Sequence, residues 1–190
     1  MMKITKDEYF TIPNLMGYFR ILLIPVFAWR YLTAQSASQF LAAAAIIGLS
    51  GLTDLFDGKI ARKFNQVTEL GKLLDPLADK LTQGAVIFCL SSRYEWMAAL
   101  VILFIVKEGF MGVMGLLTLR HNGRKLDGAF WYGKVCTAVL YGVMFMLLIV
   151  PRIPRIYVNV SVCLCGIIML FTLLMYVPVF IKMWKLPKNQ

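Results

Sequence analysis

The sequence predicts an all-α integral membrane protein, with six transmembrane helices and a short amphipathic helix on the membrane surface at the N-terminus. Three observations carry that prediction. The 190 residues are 59% hydrophobic and only 16% charged, with a mean hydropathy of +0.72, an apolar share above and a charged share below those of water-soluble chains. The apolar residues fall into six runs, each close to the ~20 residues that cross a bilayer. The basic residues between the runs sort onto alternate sides. Six spans with short connections use up the chain, so residues 1–190 are expected to form a single membrane domain.

Residues 1–14 (MMKITKDEYFTIPN) mix charges with aromatics, the pattern of a helix lying in the interface. The first apolar run covers about residues 15–33, and the A-Q-S-A-S that follows looks like a signal-peptide cleavage site. Arg20 and Pro25 interrupt that run, and Asp7 and Glu8 spoil the basic region such a peptide needs, so a retained span is expected. The second span starts near Phe40 and reaches Asp54 through small residues that admit a close neighbour. The third covers about residues 73–90, where Pro76 either kinks the helix or occupies its first turn behind an Asp75 cap. Residues 96–119, 130–150 and 157–183 supply the remaining three.

With both termini on one side, that side collects fifteen lysines and arginines, while the other receives only Arg30, Arg93, Arg152 and Arg155. The basic side is therefore expected to face the cytoplasm of a cell (inner or plasma) membrane. A net charge of +10 does not point to nucleic acid, because the bases sit in loops and at helix ends rather than on one face. Membrane lipids and phosphorylated ligands are the partners it suggests. Cys89, Cys136, Cys163 and Cys165 lie in apolar segments without metal-ligand spacing and read as reduced thiols.

One stretch departs from the apolar background. It reads D-L-F-D-G-K-I-A-R from Asp54 to Arg62, then eight residues, then G-K-L-L-D-P-L-A-D from Gly71 to Asp79, and its two outer segments hold four of the ten acidic residues. On helices, Asp54 and Asp57 share one face and Asp75 and Asp79 share another, and the intervening loop would bring the two faces together. Four like charges at the edge of a low-dielectric region need a cation. Oxygen donors at this density suit Mg²⁺, Mn²⁺ or Ca²⁺ rather than zinc. The cluster falls at the cytoplasmic end of the second and third spans, within reach of water-soluble phosphate compounds.

This pattern resembles the signature of the CDP-alcohol phosphotransferases at every defined position. The resemblance implies a homodimer of six-helix subunits whose active site opens to the cytoplasm, transferring a phosphatidyl or similar group from a CDP-linked donor to an alcohol with release of CMP. It implies two divalent ions, Mg²⁺ or Mn²⁺, one on Asp54, Asp57 and Asp75, the other on Asp54, Asp75 and Asp79, with Asp79 as general base. It also implies that Gly58, Ala61 and Gly71 leave room for the nucleotide and that Arg62 neutralises a phosphate.

Elsewhere the likeness narrows the substrates. T-I-P-N with Arg20 downstream, and the segment K-F-N-Q-V-T-E-L-G-K-L-L-D-P-L-A-D-K, are similar to the members of that family that use CDP-diacylglycerol with glycerol 3-phosphate or with phosphatidylglycerol. Glycerol 3-phosphate, giving phosphatidylglycerophosphate, is the favoured acceptor; phosphatidylglycerol, giving cardiolipin, is the alternative. In the second half Cys136 replaces the second Lys of a Gly-Lys-x-Lys-Thr element begun by Gly133 and Lys134, and Lys107-Glu108 stands where Arg-Glu is usual. Lys for a bidentate Arg is not a neutral exchange at a phosphate site. Lys107, Arg120 and Lys134 still offer positive charge to an anionic acceptor. The competing readings are an ion pair to other helices for Lys107 and Glu108, and topology alone for Arg120 and Lys134. A divalent-cation transporter could use the same carboxylates, but transporter sites sit near the bilayer midplane on broken helices, whereas these gather at one edge.

Overall fold

The computed structural model describes residues 9–64, 66, 68–123, 128–150 and 152–185, apart from the side chain of Arg62. Among them the regular structure is helical, with no strand. Six α-helices follow one another: α1 (Ile12–Leu32), α2 (Ala37–Lys63), α3 (Glu69–Ser91), α4 (Met97–Asn122), α5 (Trp131–Ile149) and α6 (Arg155–Trp184).

Five of these, all but α3, are long and apolar enough to cross a membrane. α3 has the length, at 23 residues, but Glu69, Lys72, Asp75, Asp79 and Lys80 crowd its first half. Its apolar part is the second half, from Leu81 onward. The surface helix expected over residues 1–14 lies partly outside the described residues, which exclude 1–8. Pro13 and Asn14 already belong to the first turn of α1, so the described end of that segment is continuous with the first span.

The chain divides into two compact units, residues 1–92 with 148–151, and residues 93–147 with 152–190. In the first, α1 packs against both α2 and α3. The approach to α3 is close: a Cβ added at Gly17 would lie 2.5 Å from Leu74 Cδ2. Side chains cap the starts of α2 and α3. Ser36, in the stretch that looks like a cleavage site, forms a capping box with Gln39 and opens α2. Thr68 opens α3, its hydroxyl accepting the Gly71 N–H at 2.9 Å. Thr68 rather than Asp75 is the cap, and Pro76 falls inside the helix.

In the second unit α4 packs against α6. Phe110 meets Phe180 edge to face with ring centroids 5.7 Å apart, His121 stacks on Trp184, and Asn122 donates to the Met183 carbonyl at 2.7 Å. α5 joins them through Tyr132, which crosses Tyr176 edge to face, and Thr172 donates to the Tyr132 carbonyl. Gly123, with φ +73°, ends α4 in the left-handed conformation that glycine tolerates best. Large apolar side chains such as Leu22, Leu55, Phe88, Ile102, Ile105, Ile167 and Leu174 point outward and are exposed. Such a surface suits lipid rather than water.

Candidate active site

The four aspartates sit on the two helices that flank the α2–α3 connection. Asp54 and Asp57 lie near the C-terminal end of α2, and Asp75 and Asp79 in the first half of α3. What gathers them is α1. Arg20, only 3% exposed, reaches Asp54 Oδ1 at 2.5 Å, Asp57 Oδ2 at 3.8 Å and Asp79 Oδ1 at 3.9 Å. Asp57 is buried and Asp54 largely open, so the cluster grades from interior to surface. One guanidinium thus serves three carboxylates from two helices.

These pairs are close in distance but poorly satisfied in direction. Arg20 Nε and Nη1 and Asp57 Oδ2 are buried without an aligned hydrogen-bond partner. Asp79 is better held: Gln83, fully buried one turn further along α3, donates from Nε2 to Asp79 Oδ2 at 3.2 Å. Lys80 Nζ donates in turn to Gln83 Oε1 at 3.3 Å.

Beside the cluster a small cleft is lined by Asp57, Gly58, Ala61, Gly71 and Asp75, together with Pro13 and Asn14 from α1. The sequence-derived residues Gly58, Ala61 and Gly71 are therefore brought to one place. A Cβ at Gly58 would meet nothing within 4 Å, leaving open space in front of it. At Gly71 the reverse holds, because a Cβ would lie 2.8 Å from Asn14 Oδ1 and 3.0 Å from Thr68 Oγ1. Asn14 is buried and hydrogen-bonded to Thr68 Oγ1 at 3.0 Å, so α1 fastens the cap of α3 against the cleft wall. The side chain of Arg62 lies outside the described residues.

The donor set is oxygen only, drawn from four carboxylates, and three of them already converge on one cation. That chemistry fits a hard divalent ion. In their present arrangement the carboxylates surround a guanidinium instead, and among the described residues no three His, Cys, Asp or Glu side chains form a ready ion site.

Lys107, Arg120 and Lys134 belong to the second unit. Arg120 is exposed in the last turn of α4 and Lys134 is exposed in the first turn of α5. Lys107 is buried and pairs with its own neighbour, Nζ to Glu108 Oε1 at 2.5 Å. Adjacent positions on a helix diverge at Cβ, which is why an ion pair to other helices stands beside a substrate role in the sequence reading; in the structure these long side chains also pair with each other. Cys136, 2% exposed, sits in the core of α5.

Sequence reasoning missed Arg20, Asn14, Thr68 and Gln83 as parts of this site. Asn14 and Arg20 lie in the T-I-P-N and downstream Arg of α1 and Thr68 in the segment K-F-N-Q-V-T-E-L-G-K, whose residues signal likeness and not contact, and Gln83 carries no signal of its own.

Residues 10–184 match the family described as CDP-alcohol phosphatidyltransferase. The CDP-diacylglycerol--glycerol-3-phosphate 3-phosphatidyltransferase of Shigella flexneri serotype 5b (strain 8401) is 31% identical over 170 residues, covering 88% of this chain and 93% of the relative. The enzyme of the same name from Escherichia coli (strain K12) is 30% identical over the same shares.

Proposed function

The chain belongs to the CDP-alcohol phosphatidyltransferase family, and from that membership we propose that it transfers the phosphatidyl group of CDP-diacylglycerol to glycerol 3-phosphate, releasing CMP and forming phosphatidylglycerophosphate. One observation carries the reading. Asp54, Asp57 and Asp79 surround a buried cationic centre, Asp57 and Asp75 line the cleft that Gly58, Ala61 and Gly71 share, and Asp57 belongs to both, so a negatively charged pyrophosphate and its nucleotide would have adjoining places. The relatives' names support this donor and this acceptor.

Asp54, Asp57, Asp75 and Asp79 are the residues that would hold two divalent ions, Mg²⁺ or Mn²⁺. When bound, such ions neutralise charge on the donor's pyrophosphate and on the departing CMP. The chain's own residues do the rest. The cleft admits the nucleotide where Gly58 presents no side chain, and Arg62, on the same helix, supplies positive charge to a phosphate. Asp79, steadied by Gln83, takes the proton from the acceptor hydroxyl. The hydroxyl oxygen forms its bond to the phosphorus of the phosphatidyl group as the bond from that phosphorus to the bridging oxygen breaks, and CMP leaves with that electron pair. Lys107, Arg120 and Lys134 supply positive charge for the phosphate of the acceptor. The six helices, α3 included, span the membrane, the cluster faces the cytoplasm, and two chains associate as a homodimer.

CMP release tests the reading. Purified protein is given CDP-diacylglycerol and Mg²⁺ or Mn²⁺, with glycerol 3-phosphate or phosphatidylglycerol in separate reactions. Release with glycerol 3-phosphate is expected. Release with phosphatidylglycerol alone would move the assignment to cardiolipin synthesis, and cation flux into vesicles without CMP release would move it to transport.

A further inference from the structure

We propose that Arg20 is the built-in counter-cation of the carboxylate cluster: it holds Asp54, Asp57 and Asp79 together while no divalent ion is bound, and it competes with the first ion for them. The inference rests on the reading that these carboxylates bind divalent ions, and it concerns what the protein does before they arrive.

The geometry supports both halves. Arg20 projects from α1 into carboxylates carried by α2 and α3, so it is the one described side chain that ion-pairs to both of those helices at this point. Without it, Asp57, buried to 3% exposure, would lose the cation that the structure pairs with it. Removing one partner of a buried ion pair leaves uncompensated charge and destabilises the fold. A guanidinium is suited to the task, since it stays charged and its planar fork can address several carboxylates at once.

The same placement makes it a competitor. A guanidinium this close to three carboxylates must repel a divalent ion bound by them. Its hold is also incomplete, because Nε and Nη1 lack aligned hydrogen-bond acceptors. A cation fixed by distance alone can yield to one that coordinates the same oxygens. Arg20 therefore sets a threshold for ion loading and keeps the empty cluster assembled below it.

Two variants and two measurements test this on the full chain in detergent or nanodiscs, without donor or acceptor. Mn²⁺ binding is read by electron paramagnetic resonance, and thermal unfolding is followed in EDTA and in Mg²⁺. Arg20→Gln is expected to bind Mn²⁺ about tenfold tighter than the parent, a small part of the repulsion between a guanidinium and a divalent ion on shared carboxylates. It is also expected to melt lower than the parent in EDTA and to recover most of that loss in Mg²⁺. Arg20→Lys carries the charge on one nitrogen, reaches fewer carboxylates, and is expected to fall between the two in Mn²⁺ affinity. If Arg20→Gln fails to fold even in Mg²⁺, Arg20→Lys decides alone: tighter binding than the parent supports the proposal, and equal or weaker binding overturns it. Equal Mn²⁺ affinity in the parent and Arg20→Gln would overturn it, as would an EDTA-state melting point that does not change. Absence of saturable Mn²⁺ binding in every protein would remove the metal reading itself, and this inference with it.

Discussion

Gln83 donates a hydrogen bond from Nε2 to Asp79 Oδ2 at 3.2 Å, from a side chain with no exposure to solvent. The two residues are one helical turn apart on α3, so the bond fixes the carboxylate's direction without drawing on any other helix. Replacing Gln83 by Leu keeps the volume and removes the donor. Turnover is expected to fall about tenfold, as for partners that orient a ligand or base, with little change in KM for the donor. Steady-state kinetics of CMP release check this, and an unchanged kcat would remove Gln83 from the orienting role.

Asp54 and Asp79 should separate in their effects. Asp79→Asn removes the group assigned to take the proton, so turnover should drop by at least the ~10²-fold associated with general-base catalysis. Stabilisation by CDP-linked nucleotide should survive. Asp54→Asn removes a carboxylate assigned to both ions and the shortest ion pair of Arg20, so both turnover and metal-dependent stabilisation should suffer. Thermal unfolding with and without nucleotide and Mg²⁺ distinguishes the two. Identical thermal profiles for the variants would erase the difference in role.

Gly71 tests the cleft wall. A methyl group there would press on Asn14 Oδ1 at 2.8 Å and Thr68 Oγ1 at 3.0 Å, two atoms 3.2 Å apart and within hydrogen-bond reach of each other. Gly71→Ala should destabilise by about 1–3 kcal/mol, the usual cost of forcing volume into a filled site. Adding Asn14→Ala removes the harder of the two contacts, and the double variant should lose less than the sum of the single losses. Denaturation of the four proteins in one detergent provides the cycle, and strict additivity would show that Gly71 and Asn14 do not meet.

Much of this arrangement could be read from the residues alone. Hydropathy is a local property, so the six helices and the Asp54–Asp79 pattern were legible, and the observed helix ends fall within a few residues of the expected ones except at α2, which runs on past Asp54 to Lys63. The contacts of α1 were not. Arg20 and Asp54 are separated by more than thirty positions, and no periodicity reports which residue of one helix meets which residue of another. For the same reason the two carboxylate faces were expected to meet through their loop, whereas Arg20 from a third helix bridges them. α3 is expected as a span from its apolar run over about residues 73–90, and the charges of its first half keep it from the apolarity of the other five.

Lys107 and Glu108 allow a structural role to be separated from a substrate role. Lys107 is 7% exposed and its Nζ lies 2.5 Å from Glu108 Oε1, so Glu108→Gln takes away the carboxylate it is paired with. That single change should cost roughly 3 kcal/mol, the lower end for breaking a buried pair on one side only. Replacing both by methionine removes the charge as well as its partner, and buried pairs exchanged for apolar residues of similar size are often neutral in stability. The double variant should therefore be close to the parent in thermal unfolding and more stable than Glu108→Gln. If Lys107 also helps hold an anionic acceptor, the double variant will show a raised KM for glycerol 3-phosphate with KM for the donor unchanged. A parent-like KM in a stable double variant would leave the pair with a structural role alone, and the acceptor phosphate would then have to rely on exposed cations such as Arg120 and Lys134.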